Sequence, residues 1–126
     1  MGRPRRRRGV VTPRTPKRGD LVWLNFSPQA GHEQSGHRPA LVISQDAFNE
    51  RRGLIIACPV TSRIKGYAFE IRVNIGDVSG VVLADQPRSL DWRARGARFI
   101  ASSAETVALA HRVAEIVATI VGVEAR

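Results

Sequence analysis

Short apolar runs rich in β-branched and aromatic residues, each closed by turn residues, recur along the chain between residues 21 and 101. Runs of this length are typical of β-strands, because a helix needs a longer periodic segment. The predicted strands are Leu21 to Phe26, Pro39 to Ser44, Gly53 to Thr61, Ala68 to Val73, Val81 to Ala84 and Arg98 to Ala101. Pro59 has no N–H group, so its strand is predicted to be interrupted or at a sheet edge there. Five or so short strands separated by turns predict a small barrel or sandwich.

The carboxy-terminal segment changes from strand spacing to helical spacing. Ser102 and Glu105 have the spacing of a capping box, with Ser102 as the N-cap and Glu105 at position N3. Apolar residues then recur at helical spacing from Val107 to Val121, and Gly122 follows as a stop signal. The segment from Gln45 to Arg51 predicts one short helical turn. The predicted fold class is therefore mainly β, with a carboxy-terminal helix that closes one face of the barrel.

Charge is distributed unevenly along the 126 residues, a length that suits one domain. The formal net charge is +9, but residues 1–18 hold eight Lys/Arg and no acid, so the rest has 20 − 8 = 12 bases against 11 acids. A charged, proline-containing segment with few apolar residues cannot bury enough surface to order itself. We therefore predict a disordered Arg-rich arm over residues 1–17 and a folded domain over residues 18–126. The arm is either a tether for nucleic acid or a solvated extension.

Cys58 is the only cysteine, which excludes an intrachain disulfide, and its apolar surroundings in the sequence predict burial. Trp23 and Trp92 are expected in the core or at an interface. The amino end lacks the apolar stretch of a signal peptide, and no apolar stretch approaches the ~20 residues of a membrane helix. We expect a cytoplasmic protein without a membrane partner. The sequence has neither a phosphate-binding glycine loop nor a Cys/His cluster with zinc spacing, so we predict no cofactor and no metal.

A polar loop between the first two predicted strands holds most of the ionisable chemistry. Glu33, His37 and Arg38 lie within six residues and offer a base, a possible acid and an anion clamp. Such a set suits holding or cleaving a phosphodiester. Pro39 biases Arg38 towards an extended backbone, which holds it at the start of a strand. The alternatives are a salt bridge between Arg38 and Glu33, a solvated carboxylate and a histidine at a dimer contact.

Four sequence blocks, from about Lys17 to Val121, resemble the MazF/PemK-type toxin family of type II toxin–antitoxin systems. They are RGDLVWLNFSPQAGHEQSGHRPALVIS, PVTSRIKGYAFEI, GVVLADQPRSLDWRAR and the terminal helix. The first is the most specific, because the pattern G-x-E-Q-x-G-x-R-P occupies Gly31 to Pro39. The resemblance implies an SH3-like barrel of the PemK/CcdB type and a homodimer. It also implies a sequence-specific, metal-independent endoribonuclease, or mRNA interferase, that cleaves single-stranded RNA to a 2′,3′-cyclic phosphate and a 5′-hydroxyl. A cognate MazE-like antitoxin is the implied partner.

The same resemblance makes Arg38 and Thr61 catalytic. By their chemistry Glu33 is a candidate base and His37 a candidate acid, although members of the family differ in which groups do these jobs. For RNA binding, Arg63, Lys65 and Tyr67 offer phosphate contacts and a stacking ring, and Ser62 is a neighbour of the same kind as Thr61. Asp85, Gln86 and Arg88 resemble the family segment that shapes the RNA site. The alternatives are a strand-end threonine bonded to backbone, a solvated basic loop and an Asp-Gln-Pro turn. Two other functions stay open, a gyrase-directed toxin on the same fold and an inactive nucleic-acid-binding relative. A gyrase binder has no need of a phosphate clamp, so Arg38 and Thr61 favour the endoribonuclease.

Overall fold

The computed structural model describes residues 10–11, 14–27, 31–32, 34 and 36–123. Within them the chain forms eight strands and two helices: β1 (Val10–Val11), β2 (Leu21–Asn25), β3 (His37–Val42), α1 (Asp46–Arg52), β4 (Ile55–Thr61), β5 (Glu70–Ile75), β6 (Val78–Leu83), β7 (Arg88–Leu90), β8 (Arg98–Ala101) and α2 (Ala104–Val121). The strand order is β1-β8-β2-β3-β4-β6-β5, and β7 pairs with β4. These pairings are antiparallel. The sheet curls into a half-barrel of the SH3-like type with a carboxy-terminal helix, which confirms the predicted fold class.

Both faces of the central strands are buried, which explains why their sequences read as continuous apolar runs. On one face Leu21, Leu41 and Cys58 pack with Ala110 and Val113 of α2. The core on the other face comes from the same strands and from the segment around β7: Val22, Leu24, Phe26, Ala40, Val42, Ile55, Ala57, Leu90, Trp92 and Ala97. The predicted burial of Cys58 and Trp92 is confirmed. Strands β2, β3 and β4 thus form the rigid centre from which the site is built.

Pro59 lies inside β4 at the point where one neighbouring strand replaces another. Residues 55–57 of β4 pair with β7, whereas Val60 and Thr61 pair with β6. On the opposite side β3 runs past this point, since Ala40 pairs with Pro59. A residue without an N–H group therefore coincides with the change of partner, and the predicted interruption is confirmed on that side of the strand.

Strand β6 begins at Val78, earlier than the predicted start at Val81, because β5 and β6 join through a tight turn at Gly76 and Asp77. Gly80 is therefore a strand residue and not part of a turn. A Cβ atom at Gly80 would lie 2.2 Å from the carbonyl oxygen of Thr61. Only a glycine allows β6 to approach the end of β4 this closely. Gly80 thus sets where the last residues of β4 run.

The predicted cap of the terminal helix is wrong by one residue. Ser103 is the N-cap of α2, its side chain accepts a hydrogen bond from Thr106 N–H, and the Thr106 hydroxyl accepts one from Ser103 N–H. The buried Thr106 thus takes the role predicted for Glu105, which stays exposed. Gly122 ends the helix with a positive φ, as predicted. In the described part of the chain, neither helix is both long enough and apolar enough to cross a membrane.

The segment before β2 contacts the domain over part of the length predicted to be an arm. β1 pairs with β8, and Arg14 lies over the Phe99 ring at 5.6 Å. The carbonyl of the buried Pro16 accepts a hydrogen bond from Asn49 Nδ2 at 2.9 Å. Residues 14–17 therefore pack on the domain. Residues 1–9, 12 and 13 lie outside the described residues, and for them the arm stays a prediction.

Candidate functional site

A groove of about 1440 Å³ crosses the curled sheet. Its lining reaches from Ile100 of β8, through Trp23 of β2 and β3 and β4, to Ser79 of β6 and Glu70 of β5. This volume exceeds the ~300–1,000 Å³ of typical small-molecule pockets, so the groove suits an extended ligand. It is lined by Trp23, His32, Gln34, His37, Arg38, Pro39, Val60, Thr61, Ser62, Arg63, Lys65, Tyr67, Glu70, Asp77, Val78, Ser79, Leu83, Asp85, Gln86 and Ile100.

Arg38 and His37 reach the groove from the first residues of β3. Both are fixed by pairing with β2, Arg38 opposite Leu24 and His37 opposite Asn25. His37 is exposed and Arg38 is half-buried. Burial lowers the pKa of the Arg38 guanidinium, which nevertheless stays protonated at neutral pH. A cation that has already lost part of its hydration is well placed to hold an anion.

Thr61 reaches the same groove from the last residue of β4. It is 9% exposed, and its hydroxyl oxygen accepts a hydrogen bond from the N–H of Arg63 at 3.1 Å. This bond uses a lone pair of the oxygen and leaves the hydroxyl proton available for a second partner. The backbone of Thr61 is fixed by the approach of Gly80. The threonine therefore offers one oriented hydroxyl donor to the groove.

The loop between β4 and β5 brings Ser62, Arg63, Lys65 and Tyr67 to the groove, and all four are exposed. The Glu70 carboxylate accepts hydrogen bonds from the backbone N–H groups of Lys65 and Gly66, at 2.9 and 2.7 Å. This carboxylate thus folds the loop back on itself and leaves the side chains of its cations directed outwards. Two exposed cations, a hydroxyl and an aromatic ring are groups that bind phosphate and stack on bases.

Gln86 supports the loop between β2 and β3 from below. Its Oε1 accepts a hydrogen bond from Gln34 N–H at 3.1 Å, and its Nε2 donates to the His32 carbonyl at 3.5 Å. Asp85 lies beside it and lines the groove. Of the predicted RNA-binding residues, Gln86 therefore contacts the backbone of the loop between β2 and β3.

Arg88 is the one predicted RNA-binding residue that does not line the groove. Its Nη1 donates to the Phe26 carbonyl at 2.7 Å, and its guanidinium lies 5.6 Å from the Phe26 ring centre. Glu33, the candidate base, lies outside the described residues. The structure thus brings together Arg38, His37, Thr61 and six of the seven predicted binding residues, and separates Arg88 from them.

Sequence reasoning missed several groove residues, among them Trp23, Asp77 and Ser79. Trp23 was expected in the core or at an interface, yet its half-buried ring lines the groove. The signal was available in principle, because Trp23 alternates with the core residues Val22 and Leu24 along β2. Asp77 and Ser79 read as turn residues in the sequence, and only the β5–β6 hairpin brings them to the groove.

The groove of this small curled barrel combines the cations Arg38, Arg63 and Lys65 with the hydroxyls of Thr61 and Ser62, and it also holds the acids Glu70, Asp77 and Asp85. Its length and its phosphate-binding groups suit an extended chain with anionic groups. Comparison with known proteins identifies the class. The profile of the PemK-like, MazF-like toxins of type II toxin–antitoxin systems matches residues 17–120. The chain therefore belongs to this toxin family.

Individual relatives support the same assignment. The endoribonuclease toxin MazF of Escherichia coli K12 is 46% identical over 88 residues, covering 70% of this chain and 79% of the relative. The endoribonuclease PemK of Escherichia coli is 38% identical over 96 residues, covering 72% of each chain. The crystal structure of MazF from Deinococcus radiodurans matches with a TM-score of 0.75 and 52% identity, over 86% of this chain and 98% of that one. A MazE–MazF structure from the same organism has a TM-score of 0.69 and 52% identity, over 86% and 97%.

The electrostatics of the groove generate a prediction for Tyr67, the only tyrosine in the chain. Burial raises the pKa of its phenol, and Asp85 and Glu70 raise it further. We expect tyrosinate to form at higher pH in the folded protein than in the urea-unfolded chain, whose phenol titrates near its ordinary ~10. Between the two midpoints the folded state binds the proton more tightly, so the free energy of unfolding falls as pH rises.

Tyrosinate absorbance in the near ultraviolet measures both midpoints. Asp85→Asn should lower the Tyr67 pKa of the folded protein, because it removes one negative charge near the phenolate. Asp77→Asn is the matched control, since Asp77 lines the groove but does not contribute to the pKa shift. Equal midpoints in folded and unfolded protein would contradict the prediction.

Proposed function

We propose that this chain cleaves single-stranded RNA in the groove by attack of a 2′-hydroxyl on the adjacent phosphate, without a metal ion. The chain is an endoribonuclease toxin, as its family and the curated relatives at 38–46% identity support. The proposal adds the chemical route and the roles of individual residues. It is carried by one observation: Arg38 and Thr61, on neighbouring strands, line the same groove.

The register of β3 and β4 explains why these two residues meet. Ala40 pairs with Pro59 in the antiparallel ladder. Continuing that register by two residues along each strand puts Arg38 opposite Thr61, and a step of two residues keeps both side chains on one face. A guanidinium and a hydroxyl donor on opposed positions suit the two non-bridging oxygens of one phosphate.

The proposed reaction uses these two groups together with Glu33 and His37. The 2′-oxygen forms a bond to phosphorus while the bond from phosphorus to the 5′-oxygen breaks, which leaves a 2′,3′-cyclic phosphate and a 5′-hydroxyl. Arg38 holds the phosphate and stabilises the charge that grows on its oxygens, and Thr61 donates to one of them. We assign Glu33 as the base that takes the 2′-hydroxyl proton and His37 as the acid that protonates the 5′-oxygen. No metal is required for this route, because the substrate supplies the nucleophile.

The rest of the groove binds the RNA on either side of the cut. Arg63 and Lys65 contact phosphates, and the Tyr67 ring stacks on a base. Ser62, Asp85 and Gln86 line the same surface and offer hydrogen-bond partners to base edges. Recognition of a short single-stranded sequence follows, since stacked and unpaired bases expose the edges that these groups read.

Two protein partners complete the proposal. We infer a homodimer and a cognate MazE-like antitoxin, which lies across the groove near Arg38 and blocks RNA. A solved structure of a relative contains MazE together with MazF, which supports the second partner. We further propose that the toxin acts in the cytoplasm on mRNA and so inhibits growth. A monomer by light scattering at micromolar concentration would contradict the dimer, and unprotected RNA after antitoxin addition would contradict the shared groove.

We propose that the Arg-rich residues at the amino end act as a non-specific tether for RNA. Residues 1–8 carry five of the eight bases found in residues 1–18. Each phosphate contact contributes about 0.7 to the salt dependence of binding to single strands, but carries no base information. The salt slope of RNA binding by a chain lacking residues 1–8 tests this, and an unchanged slope would make the segment an inert extension.

The gyrase-directed alternative is not favoured. The curated relatives are endoribonucleases, and both residues of the proposed phosphate site are present in the groove. The inactive relative is disfavoured for the same reason.

The metal requirement tests the proposed route. Purified protein should cut a long single-stranded RNA in the presence of EDTA, and the downstream fragments should carry 5′-hydroxyl ends. Primer extension maps the cut sites, and 5′-phosphorylation of the fragments by a kinase reads out the ends. Activity that disappears in EDTA and returns with magnesium would overturn the proposal.

Substitution of Arg38 tests the phosphate site. Arg38→Ala should leave the fold intact and lower the cleavage rate by ~10²-fold or more, the scale of losing one donor to a transition-state oxyanion. Arg38→Lys should rescue poorly, because a single ammonium lacks the planar fork of donors. Arg93→Ala is the matched control, since Arg93 lies over the Trp92 ring and outside the groove. A rate near that of the unsubstituted protein in Arg38→Ala would refute the assignment.

A further inference from the structure

Two arginines donate hydrogen bonds to three consecutive backbone carbonyls, at the last residue of β2 and the two residues after it. Nη1 of Arg95 donates to the carbonyls of Asn25 and Ser27, at 3.2 and 2.5 Å. Nη1 of Arg88 donates to the carbonyl between them, that of Phe26, at 2.7 Å. The donors lie 62 to 70 residues after their acceptors in the sequence. We call this pair the carbonyl clamp.

Both members of the carbonyl clamp are anchored in rigid structure. Arg88 begins β7, where it pairs with Ala57 of the central strand β4. Arg95 lies in the turn after the buried Trp92, and its own N–H donates to the Asp91 carbonyl at 3.0 Å. The Arg95 carbonyl in turn accepts a hydrogen bond from Asn25 N–H at 3.2 Å. The clamp therefore joins the end of β2 to β7 on one side and to the turn that follows the buried Trp92 on the other.

The held segment leads directly to the proposed catalytic residues. Phe26 N–H donates to the Gly36 carbonyl at 2.9 Å, and Gly36 N–H donates to the Ser27 hydroxyl at 3.1 Å. Gly36 is followed at once by His37 and Arg38. Neither arginine of the clamp lines the groove. The path from a clamp guanidinium to the start of β3 thus consists of two hydrogen bonds and a short piece of backbone.

We propose that Arg88 and Arg95 are positioning residues for RNA cleavage, which act by holding the start of β3 and with it Arg38. The inference rests on the proposed function of the groove. Charged donors bind carbonyls more strongly than neutral ones, so the clamp restricts a chain segment that otherwise ends in an irregular loop. A shift of about 1 Å in a catalytic group is enough to slow a reaction by ~10²-fold. Loss of the clamp should therefore affect the cleavage step and leave RNA affinity largely unchanged.

The experiment compares Arg95→Ala and Arg88→Ala with Arg93→Ala. Arg93 is the matched control, because it belongs to the same turn as Arg95 but lies 4.8 Å over the Trp92 ring. Single-turnover cleavage with protein in excess gives the rate of the chemical step. Affinity is measured separately with an all-2′-deoxy analogue, which has no nucleophile. All rates are taken at a temperature where circular dichroism shows each variant folded.

We expect each clamp variant to lose about 10-fold or more in cleavage rate and to change affinity for the deoxy analogue by less than about 3-fold. The Arg93→Ala control should keep the rate of the unsubstituted protein. In an Arg38→Ala background, Arg95→Ala should lower the cleavage rate by a much smaller factor, because the effects of residues that act through one another are not additive. Hydrogen exchange of the Phe26 and Gly36 amides should quicken in the clamp variants.

Three results would overturn the inference. An unchanged cleavage rate with a lowered unfolding temperature would make the clamp purely structural. Weakened affinity with a flatter salt dependence would make Arg88 or Arg95 a phosphate contact. If Arg95→Ala does not fold, Arg95→Met replaces it, because methionine keeps an apolar stem but has no donor for the two carbonyls. A fully native cleavage rate in that variant would also count against the inference. Failure of the proposed function is distinguishable, because the unsubstituted protein would then not cut RNA at all.

Discussion

The pairing of β3 with β4 is the constraint on which the groove depends, because it brings the start of one strand beside the end of the other. In this ladder Leu41 pairs with Cys58, whose side chains lie on one face of the sheet, and Val42 pairs with Ala57, whose side chains lie on the other face. Both faces are apolar and buried, so alternation of polar and apolar residues does not by itself define the register. The register is therefore defined by the sizes of the packed side chains and by Pro59, where β4 changes its neighbour from β7 to β6. A slip by one residue would turn Thr61 away from Arg38 and remove the proposed phosphate site.

Sequence patterns predicted the elements that rest on local chemistry and missed those that rest on distant contacts. The runs of β-branched residues located most strands, and Gly122 located the end of α2. β7 escaped notice because three residues after a proline carry no periodic signal. Gly80 was predicted to be part of a turn, because the residues around it in the sequence give no sign that it packs against the Thr61 carbonyl. The cap of α2 was misplaced because Ser102 and Glu105 fit the usual S-x-x-E pattern, whereas the observed capping box pairs Ser103 with the buried Thr106.

The candidate site shows the same division. The motif around Arg38 and the Thr61 position were found from the sequence, and both residues line the groove. Arg88 was grouped with them because the segment that contains Asp85, Gln86 and Arg88 resembles the part of the family that shapes the RNA site. Its guanidinium instead contacts a carbonyl 62 residues away. Charge and proximity in sequence cannot distinguish a cation that binds RNA from one that binds backbone, since the acceptor lies on another strand.

Positive charge in this chain therefore acts through its location and not through its sum. Arg38 has lost part of its hydration at the start of β3, which suits a tight contact with one phosphate. Arg63 and Lys65 stay exposed on a loop whose backbone is held by Thr61 at Arg63 and by Glu70 at Lys65, so their side chains are presented to solvent. The two guanidinium groups of the carbonyl clamp bind backbone carbonyls of the protein itself, and we propose that they hold the start of β3 in place. A formal charge of +9 describes none of these differences. Within the proposed site, the partly buried guanidinium is therefore the cation suited to hold the reacting phosphate, and the exposed cations of the loop suit the phosphates on either side of it.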